Sequence, residues 1–304
     1  MALPAEKARS LFKRLPAAPL LLPGLLLLLF ANLTSLAHAT TAADEALSLF
    51  EQRALYRQAL DDLRRGAVSK FRAKAKRLDN YPLRPYLDYH LVNGRLNRAS
   101  TKEIRNFMDE HGDLAPSDIM FRRWLKKLGQ KRHWTTLLQN FSDADYQRSR
   151  DAELRCYYVR ALYGRDQRKK ALDWTTDLWL SPKSQPKACD PIFDVWRTTP
   201  RFTEEIAWQR FDAAIKNNQR KLSRYLLRFF TGTNKRAAEA YYQVHTQPKR
   251  ITKRSRFARD NAQNRNIIQH GLMRLSRNGA EDAAKAWARY AETHSFSPVQ
   301  RSII

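Results

Sequence analysis

The stretch Glu153-Leu154-Arg155-Cys156-Tyr157-Tyr158-Val159-Arg160-Ala161-Leu162-Tyr163-Gly164-Arg165-Asp166, running on to Ala171-Leu172-Asp173-Trp174, decides the fold. Leu154, Tyr157, Tyr158, Ala161 and Leu162 recur at spacings of three and four, the period of a helix with one buried stripe. Tyr163-Gly164-Arg165-Asp166 breaks the pattern. Ala171, Trp174, Leu178 and Trp179 then resume it. Two helices and the turn between them form a hairpin, a unit that buries its apolar face only by stacking on neighbours.

The same pattern extends outward in both directions. Leu47, Phe50, Ala54, Ala59 and Leu63 lie close to one helical face, and Ile104, Phe107 and Met108 form another. The chain beyond residue 39 has no alternating apolar and polar run of strand length, and glycine is scarce, with nine in 304 residues. Tyr81-Pro82 and Arg84-Pro85 start a new element, because the residue before proline is pushed out of the α region. Ala115-Pro116-Ser117-Asp118 reads as a stop followed by a cap, and Ser181-Pro182 as the end of the Trp174 helix. Asn278-Gly279 reads as a C-cap. The spacing predicts about a dozen helices of roughly 10–16 residues with loops of roughly 2–6. Three joints look alike: Leu128 to Trp134, Tyr163 to Trp174, and Asn278 to Trp287. The 40-residue separation of Trp134 and Trp174 does not persist to Trp287, so the pattern favours an irregular α-solenoid over a strict array. An ordinary globular all-α domain is the alternative.

The N-terminus has a different character. Lys7, Arg9, Lys13 and Arg14 precede an apolar run centred on Leu20–Leu22 and Leu25–Leu29, which closes with Ala37-His38-Ala39. This order predicts a secretory signal peptide over 1–39, leaving 40–304 outside the cytoplasm. An uncleaved anchor is the alternative. Pro16, Pro19, Pro23 and Gly24 interrupt the run, and its core is shorter than the roughly 20 residues of a spanning helix. Removing 1–39 takes away four basic residues and one acidic one, so the +26 of the chain becomes +23.

Such a charge concerns partners and solubility rather than fold. Export argues against nucleic acid and points to peptidoglycan, whose peptides carry carboxylates, or to an anionic surface. A solvated basic face without a dedicated ligand is the plain alternative. The densest run, from Pro248 to Arg259, holds Lys249, Arg250, Lys253, Arg254, Arg256 and Arg259 with no acid, and is the candidate anion-binding segment. Cys156 and Cys189 are the only cysteines, 33 positions apart. An oxidising compartment and an even count favour a disulfide over two buried thiols. Such a bridge would stabilise by about 3–4 kcal/mol in the loop-entropy picture.

No catalytic constellation emerges. Glu103, Glu110, Glu153, Glu204, Glu205, Glu239, Glu281 and Glu292 lack a distinctive context. Glu204 and Glu205 follow Phe202-Thr203 at what reads as a helix start, where the dipole favours acids. His90, His111, His133, His245, His270 and His294 are scattered without metal-ligand spacing, so no metal site is assigned. Neither a nucleophile elbow nor a glycine-rich phosphate loop is present, and no cofactor is called for. Trp124, Trp134, Trp174, Trp179, Trp196, Trp208 and Trp287 could stack on sugars, but at helical spacing they read as core.

Two stretches carry a family likeness. Asn80-Tyr81-Pro82-Leu83-Arg84-Pro85-Tyr86-Leu87-Asp88-Tyr89 resembles the YPLxPYLxY signature of the soluble lytic murein transglycosylases. The second stretch runs from Glu153-Leu154-Arg155-Cys156-Tyr157-Tyr158 through Leu178-Trp179-Leu180. It ends at Ser184-Gln185-Pro186-Lys187-Ala188-Cys189-Asp190, followed by Phe193, Val195, Trp196 and Arg197. The resemblance implies a right-handed, U-shaped helical superhelix in the periplasm, with Cys156 bridged to Cys189. Members of that family cleave the MurNAc–GlcNAc bond without water and leave a 1,6-anhydro end. They use one glutamate in a lysozyme-like C-terminal domain.

The motifs of that domain are not found in this sequence. Gly271-Leu272-Met273 echoes one of them, but Arg274-Leu275-Ser276 breaks it. The expectation is therefore a superhelical U-domain over 40–304, incomplete relative to the family and without the lysozyme-like domain. It would be associated with peptidoglycan and a separate catalytic domain or other cell-wall enzymes, and would not be catalytic by itself. A stand-alone periplasmic adaptor is the second reading, and a complete enzyme with an unrecognised site is the third.

Overall fold

A computed structural model describes residues 47–303. The signal peptide expected over 1–39, with cleavage after Ala39, lies outside the described residues. Sixteen α-helices and no strand occur among them. The first seven are α1 (Leu49–Arg64), α2 (Val68–Lys76), α3 (Arg84–Gly94), α4 (Thr101–His111), α5 (Ser117–Gln130), α6 (Trp134–Asn140) and α7 (Asp143–Arg148). At the centre lie α8 (Ala152–Gly164), α9 (Arg168–Trp179) and α10 (Asp190–Arg197), followed by α11 (Glu204–Lys216) and α12 (Arg220–Leu226). The last four are α13 (Gly232–Thr246), α14 (Ala262–Leu275), α15 (Ala280–Ala291) and α16 (Pro298–Ile303).

Side-chain caps set several starts. Ser100, Asp151, Thr203 and Asn261 accept the backbone N–H three residues on, and Ser142 with Asp145 forms a reciprocal capping box. Four helix ends share one turn. Gly66, Arg132, Asp166 and Asn218 have φ of 75°, 58°, 62° and 55°. In each turn the following N–H reaches back five residues: Ala67 to Asp62 O, His133 to Leu128 O, Gln167 to Leu162 O and Gln219 to Ala214 O. This is the left-handed helix stop, and it makes α1–α2, α5–α6, α8–α9 and α11–α12 hairpins.

The hairpins stack. Helix α8 is buried on nearly all sides, through Leu154, Cys156, Tyr157, Tyr158, Val159, Ala161 and Leu162, because α5, α6, α9 and α10 surround it. Gly129 in α5 lets α8 approach so closely that a Cβ there would sit 2.2 Å from the Tyr157 ring. Gly271 in α14 is the same kind of contact, 2.7 Å from Val244 Cγ1, so Gly271-Leu272-Met273 is a packing segment. One continuous apolar cluster runs from Val92 to Phe296. A ladder of polar bonds follows it: Asn93–Arg123, Asn140–Arg105, Asp173–Arg201, Glu204–Thr231, Asp212–Tyr241 and Asp260–Ser295. These partners lie 27 to 35 positions apart, about one hairpin, as stacking of successive units requires. The irregular helical superhelix read from the sequence is the observed fold.

Several local expectations need correction. Short helices such as α6, α7, α12 and α16, of six or seven residues, raise the helix number above a dozen. The connections at 180–189 and 247–261 are far longer than six residues. Ser117 does not cap α5; its hydroxyl donates to His111 O at 2.7 Å and is buried. Gly279 precedes α15 in extended geometry (φ −168°) rather than closing α14 in the left-handed region, so this joint is unlike the other two. Phe50 is 80% exposed, because it lies five residues from Leu55 and misses the Leu55–Ala59 row that α1 buries.

Candidate functional site

Two cationic features lie on this scaffold. The first is the candidate anion-binding segment, a strap of two 3-10 turns, Pro248–Thr252 and Arg254–Phe257. Ile251 and Phe257 plug it into the core. Helix α15 and the residues after it grip its backbone: Tyr290 Oη donates to Ile251 O at 2.8 Å, and His294 Nε2 donates to Phe257 O at 2.8 Å. Gln243 Oε1 accepts from both Arg250 Nη1 (3.2 Å) and Arg256 Nη1 (2.7 Å), bringing these two together. Lys249, Lys253, Arg254 and Arg259 stay exposed. Among the described residues none of the six has a carboxylate partner. The adjacent Asp260 is engaged elsewhere, with Ser295 N and Arg265, and the Ser295 bond together with the Arg265 charge pulls its carboxyl down to about 2.

The second feature was not legible in the sequence. A pocket of about 500 Å³ opens where the 180–189 connection meets α10, α11 and α12. Arg210 lines it and is only 3% exposed. Its guanidinium lies 4.3 Å from the Trp179 ring centroid. Nη2 donates a long bond, 3.4 Å, to Lys183 O, and the buried Nε has no partner. Burial, with the like charge of Arg197 adding, lowers the guanidinium to about 10, so it remains a cation at neutral pH. Arg197 pairs with Asp194 and lies over Trp179 and Phe229. Lys221 stands exposed on the rim, near Tyr225.

The disulfide fixes the wall of this pocket. Cys189 is joined to Cys156 of buried α8 with Cα atoms 4.9 Å apart, and Arg160 Nη1 donates to Ala188 O beside it. The tryptophans belong to the core: Trp124, Trp179 and Trp196 are buried, and Trp134, Trp174, Trp208 and Trp287 pack against the cluster. Glu103, Glu153 and Glu281 pair with Arg95, Lys126 and Lys285. Glu204 accepts from Thr231 and Asn234, and these bonds lower its carboxyl below the usual range. No group of three or more metal-ligating side chains occurs among the described residues, and no helix there is long and apolar enough to cross a membrane.

By fold the chain is a helical superhelix, and its known counterparts are cell-wall enzymes. Soluble lytic murein transglycosylases of Escherichia coli and Salmonella typhimurium are 31% identical to it over 172 residues. That alignment takes in 56% of this chain and 26% of theirs. An inactive mutant of the lytic transglycosylase Slt from Pseudomonas aeruginosa superposes with a TM-score of 0.70 at 30% identity, over 82% of this chain and 40% of that one. The 70 kDa soluble lytic transglycosylase of Escherichia coli gives 0.72 at 24% identity, over 84% and 41%, and has also been solved in complex with bulgecin A. No family model matches. The chain is thus a relative of the soluble lytic murein transglycosylases, and the matched regions span about a quarter of the curated relatives and about two fifths of the solved ones.

Proposed function

We propose that the chain serves as the peptidoglycan-associated helical scaffold of a lytic-transglycosylase system, outside the cytoplasm. The observation that carries this reading is the strap, six cations without a carboxylate partner, held rigidly by Ile251, Phe257, Tyr290 and His294. The +26 charge of the chain, the leader-like residues 1–39 and the murein-acting relatives support it. Carboxylates of wall peptides would meet the strap in solvent, where each contact is weak and screened, so that many act together.

Co-sedimentation with purified sacculi tests the reading. Binding is expected at low ionic strength and should fade above about 0.15 M salt. A variant carrying Lys249→Gln, Lys253→Gln, Arg254→Gln and Arg259→Gln should bind several-fold less. Binding indifferent to both salt and the four substitutions would refute it. Glu103, Glu153 and Glu281 are tied to bases and Glu204 is held by Thr231 and Asn234, and the scaffold reading expects no 1,6-anhydro-muropeptides from the purified chain. Their release would establish a complete enzyme instead.

A further inference from the structure

We infer that the Arg210 pocket binds the terminal carboxylate of a short peptide. A cation removed from water is costly unless an anion or a full set of acceptors compensates it. Arg210 has neither: one long bond to a carbonyl, one orphaned N–H, and a second guanidinium, Arg197, nearby as a like charge. The aromatic contact with Trp179 offsets only part of that cost. The pocket's acids do not supply the difference. Asp194 is taken by Arg197, and Asp190 opens α10 with no ion-pair partner to Arg210 among the described residues. Arg197, Arg210 and Lys221 therefore leave one positive charge over Asp190 and Asp194. The geometry suits a planar carboxylate, which a guanidinium recognises through paired N–H donors.

The walls decide what carries the carboxylate. Sugar rings often stack on an open aromatic face, and the aromatic rings of this pocket are largely engaged within the protein. Trp179 is 1% exposed, covered by Arg210 and ringed by Phe193, Trp196, Phe202 and Phe229. Tyr225 carries the Arg228 guanidinium 4.2 Å above its centroid. Phe193, Leu222 and the edge of Tyr225 instead offer space for small apolar side chains. Ser184 and Gln185 supply a hydroxyl and an amide to pair with a peptide backbone. The volume, about 500 Å³, lies within the range for small ligands. The inference deepens the scaffold reading by naming a peptide-end site, but it stands on residues separate from the strap.

Isothermal titration of the full chain tests it, with N-acetyl-Ala-Ala as free acid and as C-terminal amide, and with N-acetylmuramic acid as the sugar-acid probe. The free acid is expected to bind at least 10-fold more tightly than the amide or the sugar acid. Arg210→Lys should weaken it about 10- to 100-fold, the range for a lost hydrogen bond to a charged group. Lys221→Gln, on an exposed rim residue that folding does not need, should weaken it several-fold. The four-site strap variant should bind the acid as the parent does, which separates failure here from failure of the scaffold reading. Four outcomes would overturn the inference. They are no heat from the free acid, equal affinity for acid and amide, preference for the sugar acid, or parental affinity in Lys221→Gln together with a folded Arg210→Lys.

Discussion

Nδ1 of His245 lies 3.1 Å from Nε2 of His270, and the two stacked rings join α13 to α14. His245 is fully buried, and its other nitrogen has no partner. Tyr241 meets His270 edge-on, with its hydroxyl held by Asp212. The surrounding charges are cations: Arg220 and Arg274 act on His245, and Arg274, Lys216 and Arg277 act on His270. Burial first, then for His270 the neighbouring His245, and then these cations push His245 down to about 4 and His270 to about 3. One neutral ring donates and the other accepts.

Acid should therefore loosen this part of the superhelix. The unfolded chain takes up protons near pH 6.5 that the folded pair refuses, so the stabilisation is whole above that pH and falls away through pH 4 toward pH 3. Thermal melts should show stability declining over this window by an amount on the order of a few kcal/mol. His270→Gln should flatten the decline. Parallel pH curves for parent and variant would count against the assignment.

The shared turns make a paired test. Arg132 and Gly66 occupy the same left-handed position at two hairpins. Arg132→Gly should be neutral or stabilising by up to about 1 kcal/mol, while Gly66→Ala should cost about 1 kcal/mol. Urea melts would measure both, and effects of equal sign would contradict the common geometry.

At Gly129 the issue is space rather than backbone freedom. A methyl group would strike the Tyr157 ring, which is locked in the centre of the core. Gly129→Ala should destabilise by about 1–3 kcal/mol through overpacking. Gly129→Ala combined with Tyr157→Leu should recover part of the loss. No recovery would mean the clash lies with another neighbour.

Reduction of Cys156–Cys189 should lower stability by about 3–4 kcal/mol, the loop-entropy value for this span. It should also open the 180–189 connection to limited proteolysis before any other site. If the first cut falls elsewhere, the bridge is not what holds that wall.

The architecture was readable because helical spacing and hairpin joints are local properties. Leu154, Tyr157, Tyr158, Ala161 and Leu162 recur at helical spacing, and all are buried as the stripe demands. The turn residues were only partly legible. Arg132 carries no sign that its φ is positive, and Gly279 carries the sign without the conformation. The strap was visible as a charge run, but its anchoring by Tyr290 and His294 depends on a helix some 40 residues away. The Arg210 pocket was invisible. One arginine among 56 basic residues looks like any other until α9, α10, α11 and α12 close around it.

The polar ladder, whose rungs reach about one hairpin along the chain, has a mechanical consequence. Tension applied at the two ends would be carried turn by turn, as in a coil spring, and no distant part would share the load. Such a body yields by opening one link while the rest keep their shape. The rivet between Cys156 and Cys189 sits near its midpoint, where a yielding link would otherwise divide the spring in two.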